Sequence, residues 1–102
     1  MAMLYMPDGR TKVVHPANGK HWTLAELQSF VGGYVEVART INGGYMVINE
    51  LGKCLTPMLD LNRPATRIYQ HGRVDPIVGP ALVVDTKLEL VGPEDEPDDD
   101  LN

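Results

Sequence analysis

Three arginines, Arg63, Arg67 and Arg73, fall within eleven residues of one another, alongside Asn62, Tyr69 and His71. A guanidinium is a planar fork of donors that meets carboxylates and phosphates two oxygens at a time, and it stays charged at every accessible pH. A tyrosine adds a flat face for a base or a cation. Asn62, Arg63, Arg67, Tyr69 and Arg73 are therefore candidate residues for binding an anion, a nucleotide or an acidic partner. The plainer reading is a basic edge in water. A second group, Tyr34, Glu36, Asn49 and Lys53, lies earlier in the chain, on the second hairpin and its exit turn. Surface charge pairing is the default for it, and a shared binding face is the alternative.

Other combinations carry less chemistry. His15, His21 and His71 with Cys54 do not stand at C-x-x-C or i, i+3/i+4 spacing, so no zinc site is expected. A nucleophile–base pair of Cys54 and His71 would require the fold to bring them together, and a lone cysteine is more often a small buried thiol. Gly32-Gly33 and Gly43-Gly44 belong to neither a G-x-x-x-x-G-K-[ST] nor a G-x-G-x-x-G pattern. They read as a helix exit and a hairpin turn. No catalytic residue, metal or cofactor is expected.

Charge sharpens the choice of partner. Of fourteen acids, six lie from Glu94 to Asp100 with no base among them, leaving eight acids against all nine Lys and Arg before them. The net −5 thus divides into a body near +1 and a tail of −6. Residues 1–92 read as a single domain and residues 93–102 as a disordered acidic tail. Such a pair is repelled by a phosphate backbone, which argues against non-specific nucleic-acid binding. No apolar run approaches the roughly 18 residues of a membrane span, and the start lacks a signal-peptide pattern. With one cysteine, a reducing cytoplasm is the expected setting.

The elements that must position these residues can be read locally. Trp22-Thr23-Leu24-Ala25-Glu26-Leu27 holds a capping box, Thr23 with Glu26, inside a hydrophobic staple of Trp22 and Leu27. A helix over Leu24–Val31 follows, with Leu24, Leu27, Phe30 and Val31 on one face, and Gly32-Gly33 ending it. Residues 4–15 read as a hairpin turning at Asp8-Gly9, and residues 34–49 as a second turning at Asn42-Gly43-Gly44. Pro64 opens a short helical turn through Ile68, which His71-Gly72-Arg73 breaks. Ala81-Leu82-Val83-Val84 is apolar on both faces and reads as a central strand, running on to about Val91 or folding back at Asp85-Thr86. The fold class is α+β: a mostly antiparallel β-sheet of hairpins, one main α-helix packed on a face, and a short helical turn.

Four stretches in order carry a likeness to known proteins: Val31-Gly32-Gly33-Tyr34-Val35-Glu36, Val47-Ile48-Asn49-Glu50-Leu51-Gly52-Lys53, Leu59-Asp60-Leu61-Asn62, and Ile77-Val78-Gly79-Pro80-Ala81-Leu82-Val83-Val84. The chain resembles domain-of-unknown-function family 3846, small proteins of bacteriophages, plasmids and other mobile elements. The resemblance implies such an origin and an intracellular role, and brings no catalytic residues. The resulting expectation is a non-enzymatic accessory protein that binds a host protein or captures a small nucleotide of defence signalling. Open sheet edges favour a homo-oligomer, since pairing would protect them. The alternative is a regulatory interaction module that works through its acidic tail.

Overall fold

The main helix begins where its cap dictates. The computed structural model describes residues 2–51, 61–86 and 90. Helix α1 spans Leu24–Val31, and Thr23 caps it in an extended conformation. Thr23 Oγ1 accepts from the Glu26 amide at 3.2 Å, and Glu26 Oε1 accepts from the Thr23 amide at 2.9 Å. The second carboxylate oxygen of Glu26 accepts from the Ala17 amide at 3.0 Å, so the loop before the helix hangs on the same side chain. Gly32 closes the helix in the left-handed region at φ 80°, its amide bonded to the Gln28 carbonyl, as a residue without Cβ does at low cost.

Five strands form one antiparallel sheet. They are β1 (Ala2–Tyr5), β2 (Thr11–Val14), β3 (Val35–Arg39), β4 (Tyr45–Asn49) and β5 (Ala81–Val84), in the order β2-β1-β5-β4-β3. The two local hairpins, β1–β2 and β3–β4, are joined by β5, which pairs with β1 on one side and β4 on the other. Its central place explains its apolar character on both faces. Of the two expected courses, on to about Val91 or back at Asp85-Thr86, the strand does not take the first: β5 stops at Val84 and Asp85 and Thr86 form a bend, while Leu90 is buried in the core.

Alternation along the strands feeds two cores. On one face, α1 lies across β3, β4 and β5 over Trp22, Leu27, Val31, Val47, Leu82 and Val84. Trp22 meets Phe30 edge to face at 5.2 Å. Leu24 departs from the sequence expectation: it is 56% exposed, and the buried Trp22 fills that end of the core instead. On the other face, Met46, Ala65, Ile77 and Ala81 form a smaller core beneath a second helix, α2 (Arg63–Ile68). The anticipated helical turn is thus a six-residue helix, and it covers the sheet face that α1 leaves open. Among the described residues no helix is long and apolar enough to cross a membrane.

The backbone amide of Thr23, then that of Ala17, holds the Glu26 carboxyl below its ordinary 4.5. A depressed carboxyl contributes stability above its unfolded pKa and loses it as pH falls through the folded one. Glu26→Ala removes the hydrogen bonds to Thr23 and Ala17 and, discounted for the solvent that reaches this carboxylate, should cost about 1 kcal/mol at pH 7. The difference from wild type should shrink as pH drops below 4.5. Urea denaturation of both proteins at neutral and acid pH measures this; an equal gap at both would mean the carboxylate charge is not its source.

Candidate functional site

Helix α2 is too short to hold itself together, so other parts of the chain hold it. Asn62 is its N-cap and is fully buried. Its Oδ1 accepts from the Ala65 amide at 3.1 Å, while Nδ2 donates to the Tyr5 carbonyl at 3.0 Å and the Gly79 carbonyl at 2.8 Å. One turn on, Thr66 Oγ1 donates to the Asn62 carbonyl at 2.7 Å and accepts from the Ile77 amide at 2.9 Å. Beyond the helix, residues 68–70 run against the far end of β3. Ile41 donates to the Ile68 carbonyl at 2.8 Å, Gln70 donates to the Arg39 carbonyl at 2.9 Å, and Thr40 bridges Tyr69. Gly72 then packs against α2 so closely that a methyl group there would overlap the Thr66 carbonyl.

This frame displays arginines. Arg63 and Arg67 stand four residues apart, hence on one face of α2, and both are exposed, as is Arg73 after the turn. None of the three has a hydrogen-bond or ion-pair partner among the described residues. Two open hollows flank Arg67. One of about 220 Å³ lies among Leu61, Arg63, Thr66 and Pro76. The other, of about 400 Å³, lies among Ile41, Tyr69, Gln70, Gly72 and Arg73. The apolar side chains at the margin are Leu61, 40% exposed, and Ile41, 67% exposed.

The residues singled out in the sequence divide by environment. Arg63, Arg67, Tyr69 and Arg73 line the two hollows. Asn62 lies beneath them with its side chain committed to three backbone groups. Tyr69 is half-buried in the smaller core, its ring edge-on to His71 at 5.6 Å and its hydroxyl 3.4 Å from Asp75 Oδ2. Tyr34, Glu36 and Asn49 line neither hollow. Asn49 is buried and ties the end of α1 to β4, donating to the Val31 carbonyl at 3.0 Å and accepting from the Leu51 amide at 2.8 Å. Glu36 is exposed and pairs in register with Ile48, one position away from the Val35–Asn49 pair. Glu36 and Asn49 consequently face opposite sides of the sheet. Tyr34 stands 67% exposed just before β3. Lys53, Cys54 and the acidic tail lie outside the described residues.

Ile41, Thr66, Gln70 and Gly72 join the site without having been expected there. The one sequence signal was Ile41, an isoleucine placed in a turn. No cluster of three or more His, Cys, Asp or Glu side chains suited to a metal occurs among the described residues.

The family model described as "Domain of unknown function (DUF3846)" matches residues 1–94. No curated protein and no solved structure matches the chain.

Because the clash at Gly72 is with backbone, Gly72→Ala should push the turn carrying Arg73 away from α2 and cost about 1–3 kcal/mol. Thermal unfolding together with amide exchange at residues 68–74 reads both effects. Unchanged exchange there would show that the close approach does not hold the turn.

Proposed function

Starting from the fact that this chain belongs to the family described as "Domain of unknown function (DUF3846)", we propose that it is a non-enzymatic binding protein whose α2 arginine face engages an acidic host factor. In this reading it is an accessory protein of a phage or other mobile element, acting in the host cytoplasm. The setting follows from the family resemblance and from the reducing environment that a single cysteine suits.

One observation carries the reading: among the described residues Arg63, Arg67 and Arg73 present guanidinium groups without carboxylate partners, the first two on a short helix anchored by Asn62 and Thr66 and the third beyond the turn where Gly72 packs against that helix. Arginines whose backbone is already fixed lose less freedom when they meet a carboxylate surface, and so bind more tightly. Exposed Ile41 and Leu61 supply the apolar contact that arginine-rich binding patches combine with charge. Both hollows are open on one side, and Tyr69 keeps its ring against His71 instead of offering a clear stacking platform. These features favour a protein surface over a ligand that must be enclosed.

The larger hollow supports one second reading. At about 400 Å³, with Arg67 and Arg73 on its rim, it is of a size that holds a small phosphorylated nucleotide. Calorimetry against cyclic nucleotides and adenosine-ribose derivatives separates the two, since only the second reading gives heat.

The double variant Arg63→Glu/Arg67→Glu should fold normally, because both side chains are exposed. In pull-downs from host lysate it should lose the acidic protein that wild type retains. The measured affinity for that protein should fall at least about thirtyfold. Equal capture by wild type and variant would remove the arginine face from consideration.

A further inference from the structure

The sheet ends in two edges, β2 and β3, and the charged residues in the middle of their open stretches, Lys12 and Glu36, are opposite in sign. In an antiparallel ladder, residues alternate between bonding inward to the neighbouring strand and pointing their amide and carbonyl outward. The turn bond from the Met6 amide to the Arg10 carbonyl sets this phase in the first hairpin. Counting along β2, Lys12 and Val14 bond inward to β1, and Thr11 and Val13 point outward. In the second hairpin the phase is set by Thr40 bonding to the Gly44 carbonyl and Glu50 to the Tyr34 carbonyl. Glu36 and Ala38 therefore bond inward to β4, and Val35, Val37 and Arg39 point outward. The Arg39 carbonyl is already taken by Gln70. The outward groups of Thr11, Val13, Val35 and Val37 make no backbone hydrogen bond among the described residues.

Such edges recruit strands, so the question is which strand each can accept. When β3 pairs antiparallel with β3 of a second copy, the register that uses both Val35 and Val37 sets Glu36 directly against Glu36. When β2 pairs with β2, the equivalent register sets Lys12 against Lys12. Like charges directly opposite destabilise a ladder. When β2 pairs antiparallel with β3, every free group is used at once: Thr11 faces Val37, Lys12 faces Glu36, and Val13 faces Val35. That register also covers the apolar side chains the monomer leaves in water, with Val13 45% exposed, Val37 51% and Tyr34 67%, the last opposite Val14. It ends where it must. Residue 9, in the turn of the β1–β2 hairpin, comes opposite Arg39, where residues 68–70 already occupy the edge.

We propose that β2 of one copy adds to β3 of the next, head to tail, with the Lys12–Glu36 pair selecting this arrangement over either symmetric one. The contact is heterologous. Each added copy leaves one β2 edge and one β3 edge free, so assembly is open-ended. It uses a surface separate from the α2 arginines and does not rest on their role.

Sedimentation velocity of the full chain from micromolar to millimolar concentration tests this. Wild type should grow past a dimer as concentration rises, and less so in high salt. Lys12→Glu and Glu36→Lys should each weaken association about tenfold. The double variant Lys12→Glu/Glu36→Lys, which restores opposite charges, should recover it. A monomer at every concentration, a closed dimer that does not grow, or a double variant as weak as the singles overturns the proposal.

Discussion

A single buried amide organises the half of this protein that carries its candidate site. Asn62 has no exposed surface, and a primary amide placed there unpaired would be heavily penalised. Both Nδ2 hydrogens have acceptors, the carbonyls of Tyr5 and Gly79, and Oδ1 has the Ala65 amide as donor. Its own amide reaches the Ile77 carbonyl at 2.8 Å. One residue thereby fixes the end of β1, the approach to β5 and the first turn of α2 relative to one another. Thr66 repeats the link to residue 77 one turn later. The position of Arg63 and Arg67 is a consequence of these bonds, because six residues of helix have no stability of their own to contribute.

The same residue shows where reading from sequence succeeds and stops. Thr23, Glu26, Trp22 and Leu27 lie within six residues, so their types and spacing were enough to place α1 and its cap. The hairpins were legible for the same reason: alternating strands and turn residues are neighbours in the chain. Ala81 to Val84 was legible as central because a strand buried on both faces must be apolar throughout. Asn62 meets Tyr5 across 57 residues, and Asn49 meets Val31 across 18. No local pattern encodes such partners. In sequence, Asn62 and Asn49 therefore looked like polar groups available to a ligand, and in the structure their polarity is used inside the protein. The arginines were legible as a group because nothing about a guanidinium needs a distant partner to make it polar.

Each helix closes a different core. The α1 side is filled by Trp22, Phe30, Leu27 and Leu82. On the opposite side Ala65 of α2 meets Met46, Ile77 and Ala81, with Tyr5, Ile48 and Val83 packed against them. Both faces of the sheet are thus covered by the described residues.

The arginine ridge and the β3 edge are mechanically linked. Residues 68–70 leave α2 and join the outer edge of β3 through the Gln70–Arg39 and Ile41–Ile68 bonds. Among the described residues, the part of β3 from Val35 to Val37 stays open, and the segment that closes the upper part leads directly into the turn bearing Arg73. A strand that docks on β3 therefore stops against the same segment that sets the rim of the larger hollow. Pulling that segment off β3 would lengthen the available edge and move Arg73 away from Arg67, so an edge contact limited to the open part leaves the arginine ridge intact. The backbone bonds between residues 39–41 and 68–70 thus limit the reach of the edge and, with the close packing of Gly72 on Thr66, hold the turn that bears Arg73.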